Sequence, residues 1–326
     1  QGEVTSYVDD FEGTQNVIDL MSTQGWSLSS RPKDLGLLYN DGGEDANGIQ
    51  NGYDRALLNW YSIDPIFYSS IRPSDINDND VSDPYTRRIF IDEIFPQIDI
   101  VQGQLSVINS LDLNYYPEER GPYNMNPQNS QNTLTNPSNS WAGITRQITT
   151  TDFEQSNVEY IEFWLQDPFI NNSENLGGKL NFNLGNISED VLKDGRKQYE
   201  NGLPEDGDIS LLNETTWGSV VPQNQSLIYA FSTLGEEREN QDVGLDGYDD
   251  QDEVIKFPSF SELDDPSNDN YNYFLNVDGD ILDRYKNYNG LEGNSPETFT
   301  NTNRGSSTQP DAEDINRDNT MNTIDS

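Results

Sequence analysis

The sequence predicts a mostly β protein: a jelly-roll-like antiparallel β-sandwich with long loops and an irregular acidic C-terminal extension. Short segments of strand-like composition recur along the chain, and clusters of Gly, Pro, Asn and Asp separate them. No helical segments alternate with these strands, which favours a sandwich over a parallel sheet. Aromatic residues make up 11% of the chain, enough apolar bulk for one sizeable core.

Apolar residues occupy every second position in two parts of the stretch 158–187. Successive strand residues point to opposite faces, so each part has one apolar and one polar face. A turn-rich segment, DPFINNSENLGG, joins them. We expect two neighbouring antiparallel strands whose buried face carries Ile161, Phe163, Leu165, Leu180, Phe182 and Leu184.

The rest of the chain divides into further strands, loops and one short helix. The predicted strands are 3–11, 25–28, 56–63, 86–95, 105–116 and 227–231, and residues 141–149 lead into the stretch 158–187. A helix is expected at 188–199, where acids come early and bases late. Irregular backbone is expected at 40–52, 71–84 and 124–140, the last a polar tract with almost nothing to bury. The predicted domains are a sandwich at 1–232 and an acidic loop-rich extension at 233–326.

The charge balance restricts the partners. The chain has 18 Lys and Arg against 58 Asp and Glu, a net charge of −40. Such a surface repels nucleic acid and anionic lipid, so no nucleic acid partner is expected. It suits calcium binding or a strongly solvated exterior. The chain has no Cys and no His, which excludes disulfides, cysteine-based zinc sites and imidazole catalysis.

No segment approaches the roughly 20 apolar residues of a membrane helix, so no direct membrane span is expected. The sequence begins and ends in polar residues without a signal peptide. We therefore expect a piece of a longer chain.

The sharpest local motif is the stretch 242–253, DVGLDGYDDQDE. A calcium loop of the EF-hand type places oxygen ligands at positions 1, 3, 5, 7, 9 and 12 and glycine at 6. Gly247 takes position 6, but position 3 is Gly244, which has no side-chain oxygen. The predicted Ca²⁺ ligands are Asp242, Asp246, the Tyr248 carbonyl, Asp250 and Glu253. The alternative is a solvated acidic loop.

Two further acidic windows are weaker. Residues 314–325 place Asp314, Asn316, Asp318, Asn322 and Asp325 at ligand spacing, and a polar tail is the simpler interpretation. Residues 276–283 group three acids that either bind a cation or form a turn.

Catalytic and sugar-binding signals are general rather than specific. Acidic residues are so frequent that no carboxylate pair stands out for glycoside hydrolysis, and we expect no enzyme activity. A carbohydrate-binding module or adhesin is the alternative function, and it requires two or more Trp or Tyr rings exposed in a row. The candidate rings are Trp26, Trp60, Trp141, Trp164 and Trp217, most of which we expect in the core.

Several long strings resemble the SprA/Sov family of giant outer-membrane proteins of type IX secretion and gliding motility. They are LDLNYYPEERGPYN at 111–124, YIEFWLQDPF at 160–169, GKLNFNLGNISEDVLKDG at 178–195, RYKNYNGLEGNSP at 284–296 and PDAEDINRDNTMNTIDS at 310–326.

The resemblance implies a place in a protein-secretion translocon, a single-chain β-barrel that passes folded cargo to the cell surface. This segment would be a non-enzymatic soluble part, facing the cell surface or the periplasm, that shapes or caps the channel. The implied partners are a lateral partner barrel, a plug protein and secreted cargo. The family offers no catalytic residues to carry over.

Overall fold

Short antiparallel strands and irregular backbone dominate the computed structural model. It describes residues 18–31, 48–101, 103–104, 106–148, 158–172, 174–175, 177–200, 210, 212–220, 232, 241, 243–289, 311–318, 320 and 322. The strands are β1 (Ser27–Leu28), β2 (Ala56–Tyr61), β3 (Ile89–Phe90), β4 (Val107–Ile108), β5 (Asp112–Arg120), β6 (Ile144–Thr145), β7 (Asn213–Glu214) and β8 (Ser219–Val220).

The helices are few and short. They are α1 (Ile91–Ile94), α2 (Asp250–Lys256) and α3 (Ile281–Arg284), with 3₁₀ turns at Thr23–Gly25, Ile49–Gly52, Pro65–Tyr68, Pro127–Asn129, Pro137–Asn139 and Pro258–Phe260. None of the helices in the described ranges is long and apolar enough to cross a membrane.

The described strands pair into four two-stranded antiparallel sheets, β1–β6, β2–β5, β3–β4 and β7–β8. The prediction of an antiparallel, β-rich chain is therefore confirmed. The jelly-roll sandwich is not confirmed, because these four pairs do not join into two packed sheets.

The β2–β5 ladder is the longest pairing. Its register runs from Tyr61 opposite Asp112 to Leu57 opposite Tyr116, and then shifts so that Ala56 lies opposite Arg120. Pro117 falls in the shifted part, where a residue without an N–H group is tolerated. Every residue of β2 is buried, so this strand runs through the interior.

Several predicted strands are confirmed in part. The segments at 25–28 and 56–63 contain β1 and β2, and the segment at 105–116 contains β4 and the start of β5. Strand β6 lies within 141–149, where no strand was predicted. The prediction at 86–95 is wrong after Phe90, where α1 begins. The Glu93 carboxylate accepts the Phe90 N–H at 3.0 Å and caps this turn. The predictions at 3–11 and 227–231 lie outside the described residues.

The prediction of two core strands at 158–187 is wrong. None of the described residues of this stretch is assigned to a strand, and all six apolar side chains are exposed, Phe163 to 51%. Phe163 and Phe182 do contact each other, with ring centroids 5.4 Å apart. This ring contact is the part of the predicted face that the described residues show, and all six side chains stay exposed to solvent.

The predicted helix at 188–199 is also absent. The Asp190 carboxylate accepts the N–H groups of Asp194 and Gly195 at 3.0 and 2.9 Å. An Asp side chain that bonds local backbone in this way competes with the helical hydrogen bonds. The backbone turns instead, with positive φ at Lys193 and Gly195.

The polar tract 124–140 is irregular, as predicted, apart from its two 3₁₀ turns. The expectation that it has almost nothing to bury is wrong, because Met125 and Leu134 are buried at 2% and 4% exposure. Asn129 is buried as well, and its side-chain oxygen accepts the Thr135 N–H at 3.3 Å.

Two hydrophobic clusters form the described core. The aromatic cluster consists of Tyr61, Phe67, Ile76, Phe274, Ile281 and Tyr285. The tryptophan cluster consists of Tyr123, Met125, Val191, Leu192, Trp217, Leu245 and Phe260. Both take residues from either side of position 232, where the predicted domain boundary lies; that boundary stays a prediction.

We predict that Phe67→Ala lowers the free energy of unfolding by about 3–5 kcal/mol, because Phe67 is fully buried and packs on Phe274 and Tyr285. The matched control is Phe163→Ala at an exposed ring, where we expect a change within about 0.5 kcal/mol. Denaturant unfolding of both variants checks this, and equal losses would contradict the assignment of the core.

We predict that Asp112→Asn removes part of the pH dependence of stability. Burial raises the pKa of Asp112 to about 6, because its effect exceeds that of the hydrogen bonds from Ser110 and the Ile63 backbone, which lower the pKa. Tyr61 and Tyr68 lie nearby. The folded state therefore binds more protons than the unfolded state, and this contribution is lost as pH rises from about 4 to about 6.5. As pH rises through this range, the melting temperature of the variant should fall less steeply than that of the parent. Identical slopes would contradict a raised pKa at Asp112.

Candidate metal centre

Helix α2 places two carboxylates on one face. Its N-cap, Asp249, accepts the N–H groups of Gln251 and Asp252 at 3.0 and 2.9 Å. Acidic residues fill the first turn, where the helix dipole favours negative charge. Asp250 and Glu253 are three residues apart and therefore point the same way.

The turn before α2 brings in a third carboxylate. Gly244 and Gly247 have positive φ angles of 67° and 75°, which glycine adopts without steric cost. Between them, Asp246 is fully buried, and its Oδ1 accepts the Tyr248 N–H at 3.1 Å. The two glycines thus fold the chain so that Asp246 faces inward.

A loop after α2 supplies the carboxylates of Asp265 and Asp269. The same loop contains Ser267, which links Asp246 to Glu253. The Asp265 carboxylate accepts the N–H groups of Asp269 and Asn270 at 3.2 and 3.1 Å, which closes the loop. Ser267 donates its N–H to Glu253 Oε2 at 2.9 Å and its hydroxyl to Asp246 Oδ2 at 2.6 Å.

The result is an acidic cluster, which we define as Asp246, Asp250, Glu253, Asp265 and Asp269. Carboxylate oxygens of Asp246, Glu253 and Asp269 lie within 4.8 Å of one another, and so do those of Asp250, Glu253 and Asp265. Glu253 belongs to both groups of three. Asp246, Glu253 and Asp269 are all at least nine-tenths buried.

Burial and mutual repulsion raise the pKa values of the cluster. Desolvation is the largest cause for Asp246, whose pKa rises to about 7, and for Asp250, whose pKa rises to about 6. The pKa values of Glu253 and Asp269 rise well above their ordinary range, first through burial and then through repulsion by the neighbouring carboxylates. Without a cation, the fold therefore favours protonated, neutral carboxyl groups at these positions.

Arg120 is a buried cation that interacts electrostatically with this cluster. Its pKa falls to about 10 because burial outweighs the attraction of Asp265, Glu253 and Asp269. Its guanidinium donates to the carbonyl oxygens of Asn124 and Asp265 at 3.2 and 3.4 Å. None of the ion pairs found in the described ranges involves a carboxylate of the acidic cluster.

Three of the predicted ligands, Asp246, Asp250 and Glu253, come together in this cluster. Tyr248 lies beside it through its N–H bond to Asp246, and Asp242 lies outside the described residues. Asp265 and Asp269 were not predicted, because the EF-hand spacing describes one contiguous loop and these residues follow α2 on another.

Gly244 explains how Asp269 enters the site. A Cβ atom added at Gly244 would lie 1.9 Å from Asp269 Oδ2. Position 3 of the motif thus lacks a side chain of its own, and a carboxylate from the later loop lies directly against it. The absence of a side chain at Gly244 could have signalled that another segment supplies the oxygen.

A second acidic group consists of Asp190, Asp194 and Glu313, again with oxygens within 4.8 Å of one another. Here backbone donors satisfy the carboxylates. Both Glu313 oxygens accept N–H groups, from Leu192 at 3.0 Å and from Gln198 at 3.1 Å, and both Asp190 oxygens do the same in the turn described above. Hydrogen bonding within the fold accounts for this group without a ligand.

The two weaker windows serve local structure in the described residues. Asp314 is buried, and its Oδ1 accepts the Asp318 N–H at 3.1 Å. Asp280 caps α3 by accepting the Asp283 N–H at 2.9 Å, and Asp75 Oδ2 accepts the Gly279 N–H at 2.9 Å. The window at 276–283 therefore forms a turn and a helix cap.

A groove of about 410 Å³ beside α1 contains the acids Asp92, Glu93 and Asp99. Arg87 holds Glu93 by two hydrogen bonds of 2.9 and 2.8 Å, and this lowers the pKa of Glu93. A glycosidase acid requires the opposite shift, so Glu93 does not fit that role.

A family model named SprA_N, described as motility related/secretion protein, matches residues 252–326. No curated protein shows a significant match to the chain. The matched residues include Glu253, Asp265 and Asp269 of the acidic cluster, while Asp246 precedes them.

We predict that Gly244→Ala destabilises the protein more than Gly195→Ala does. Both glycines have nearly the same φ, 67° and 68°, so the left-handed backbone costs each alanine about 1–2 kcal/mol. A Cβ at Gly195 meets nothing within 4 Å, whereas at Gly244 it meets Asp269 Oδ2. Denaturant unfolding should show a loss at Gly244 roughly double that at Gly195 or more. Equal losses would show that Asp269 does not lie against Gly244.

Proposed function

We propose that this chain is a non-enzymatic segment of a protein-secretion translocon of type IX secretion and gliding motility, and the family match at residues 252–326 supports this proposal. In this proposal the segment shapes or caps the secretion channel at the outer membrane and contacts other secretion components or cargo. The observation that carries the proposal is the match itself, to a family described by motility and secretion rather than by an enzyme class.

The surface offers a region suited to such contacts, the apolar pair formed by residues 158–166 and 179–187. Tyr160 and Trp164 are exposed to 82% and 68%, and Phe163 and Phe182 to 51% and 54%. Contiguous exposed apolar side chains on a strongly charged protein are typical of an interaction surface. We assign the contact with the secretion machinery to this apolar pair.

The apolar pair is anchored to the rest of the chain through one side. The Trp164 ring meets Phe95 edge to face at 6.3 Å, and the Tyr85 hydroxyl donates to the Pro168 carbonyl at 3.1 Å. The Gln166 side chain donates to the Pro84 carbonyl. These contacts hold the segment in place and leave Phe163 and Phe182 open to a partner.

To test the proposal, a photo-crosslinking amino acid replaces Phe163 or Phe182 in the full-length protein of a gliding bacterium. The matched control replaces Ile255, which is exposed to 76% on α2. We expect adducts with a secretion component or with cargo from positions 163 and 182 but not from 255.

A double variant, Phe163→Asp with Phe182→Asp, completes the test. We expect it to reduce surface delivery of cargo and gliding at least tenfold while the full-length protein accumulates normally, because a partner would have to bury two charges. Normal secretion together with no adduct at either position would overturn the proposal.

A second function, carbohydrate binding, is favoured by one observation. Tyr160 and Trp164 are both strongly exposed and only four residues apart in the sequence. The other described tryptophans fit poorly, since Trp60, Trp141 and Trp217 are buried and Trp26 is half-buried. Affinity electrophoresis in gels containing polysaccharide tests this: slower migration that Trp164→Ala abolishes would support sugar binding, and unchanged migration would exclude it.

A further inference from the structure

We propose that Asp246, Glu253 and Asp269 bind one Ca²⁺ ion, with Asp250 and Asp265 as its outer carboxylates. This site differs from the contiguous loop predicted from the sequence, because its ligands come from the turn before α2, from α2 itself and from the loop after it. The proposal is independent of the secretion function.

The spacing of the oxygens fits one ion. Ca²⁺ holds its oxygen ligands at about 2.3–2.6 Å, so two ligands of the same ion are at most about 5 Å apart. Oxygens of Asp246, Glu253 and Asp269 lie within 4.8 Å of one another in the folded chain. The three side chains therefore need only small rotations to reach a common centre.

Asp269 provides an independent indication of a ligand. Its Oδ2 atom is buried and has no hydrogen-bond partner, although a hydrogen bond from Tyr123 lowers the pKa of the carboxyl group. A buried polar atom without a partner costs about 1–3 kcal/mol, and more when it is charged. One oxygen of this carboxylate lies within 4.8 Å of oxygens of Asp246 and Glu253, so an ion held between the three carboxylates would give Asp269 a partner.

Local backbone makes room for this carboxylate. Gly244 brings its Cα close to Asp269, at a position where any Cβ would overlap with Oδ2. The Tyr123 hydroxyl accepts the Leu245 N–H at 2.9 Å, which fixes the turn against the tryptophan cluster. The absence of a side chain at Gly244 leaves room for the Asp269 carboxyl group, which a Cβ atom would displace.

Ionised carboxylates in this cluster have no ion-pair partner among the described residues, so a bound cation would balance them. Arg120 contributes one positive charge, but its side chain donates its described hydrogen bonds to two carbonyl oxygens and to Asn132 rather than to a carboxylate. An uncompensated group of buried carboxylates is strongly destabilising. The donor set is oxygen only, and the chain has no Cys or His, which favours a hard cation over zinc or copper.

Such an ion would join two segments that hydrogen bonds already bring together. Asp246 precedes α2, Asp269 follows it, and Ser267 bonds to both Asp246 and Glu253. Leu245 and Phe260 of the same region belong to the tryptophan cluster. Calcium would therefore stabilise the packing of residues 243–269 on that cluster.

Calorimetric titration of the 326-residue chain with CaCl₂ and thermal melting with Ca²⁺ or chelator test the proposal. We expect a stoichiometry near one and a higher melting temperature with Ca²⁺. Asp269→Asn, which keeps the shape of the side chain, should weaken binding at least tenfold. The matched control is Glu262→Gln, which removes one charge from an exposed position on the same loop and should bind as the parent does.

Because a buried variant can fail to fold, terbium luminescence sensitised by the adjacent Tyr123 provides a second readout on the parent protein. We expect sensitised terbium emission from the parent protein, and added Ca²⁺ should lower it by displacing the terbium. Asp250→Asn, at a partly exposed position, should also lower the emission. No heat, no melting shift and no emission in the parent would overturn the proposal. Equal weakening by Glu262→Gln and Asp269→Asn would also overturn it, since it would indicate diffuse counterion binding.

Discussion

The described core depends on how a chain of this charge places buried carboxylates. Only 32% of the residues are hydrophobic and the net charge is −40, so apolar burial alone cannot organise the interior. Asp246, Glu253 and Asp269 are enclosed together beside the tryptophan cluster, and Ser267 connects two of them. Repulsion in this cluster opposes the packing of 243–269, and its neutralisation decides how firmly that region is held.

The sequence predicted β-rich antiparallel structure but not the location of its core. The segment 56–63 was identified correctly, because its apolar and aromatic residues run together and β2 is buried throughout. The segment 158–187 had the cleaner alternation and is exposed. A period of two shows which residues share a face, but it contains no information about what covers that face. The aromatic cluster shows why local patterns do not locate a core. The Tyr61 and Tyr285 rings stack with centroids 4.1 Å apart, although the two residues are far apart in the sequence.

The candidate site was predictable to the extent that it is local. Asp246, Asp250 and Glu253 lie within eight residues, and a spacing rule found them. Asp265 and Asp269 reach the site through the loop after α2, which no contiguous motif describes. The family match begins at residue 252, so the matched segment contains Glu253 and Asp269 but not Asp246. The cluster thus joins the matched segment to the chain that precedes it.

The most direct test of calcium at the acidic cluster is a crystal structure of the chain grown with CaCl₂, with anomalous difference density measured at a long wavelength. We predict one peak bounded by Asp246, Glu253 and Asp269, with oxygen ligands at about 2.3–2.6 Å. A structure with ordered carboxylates but no peak between them would contradict the account, as would a peak confined to Asp190, Asp194 and Glu313.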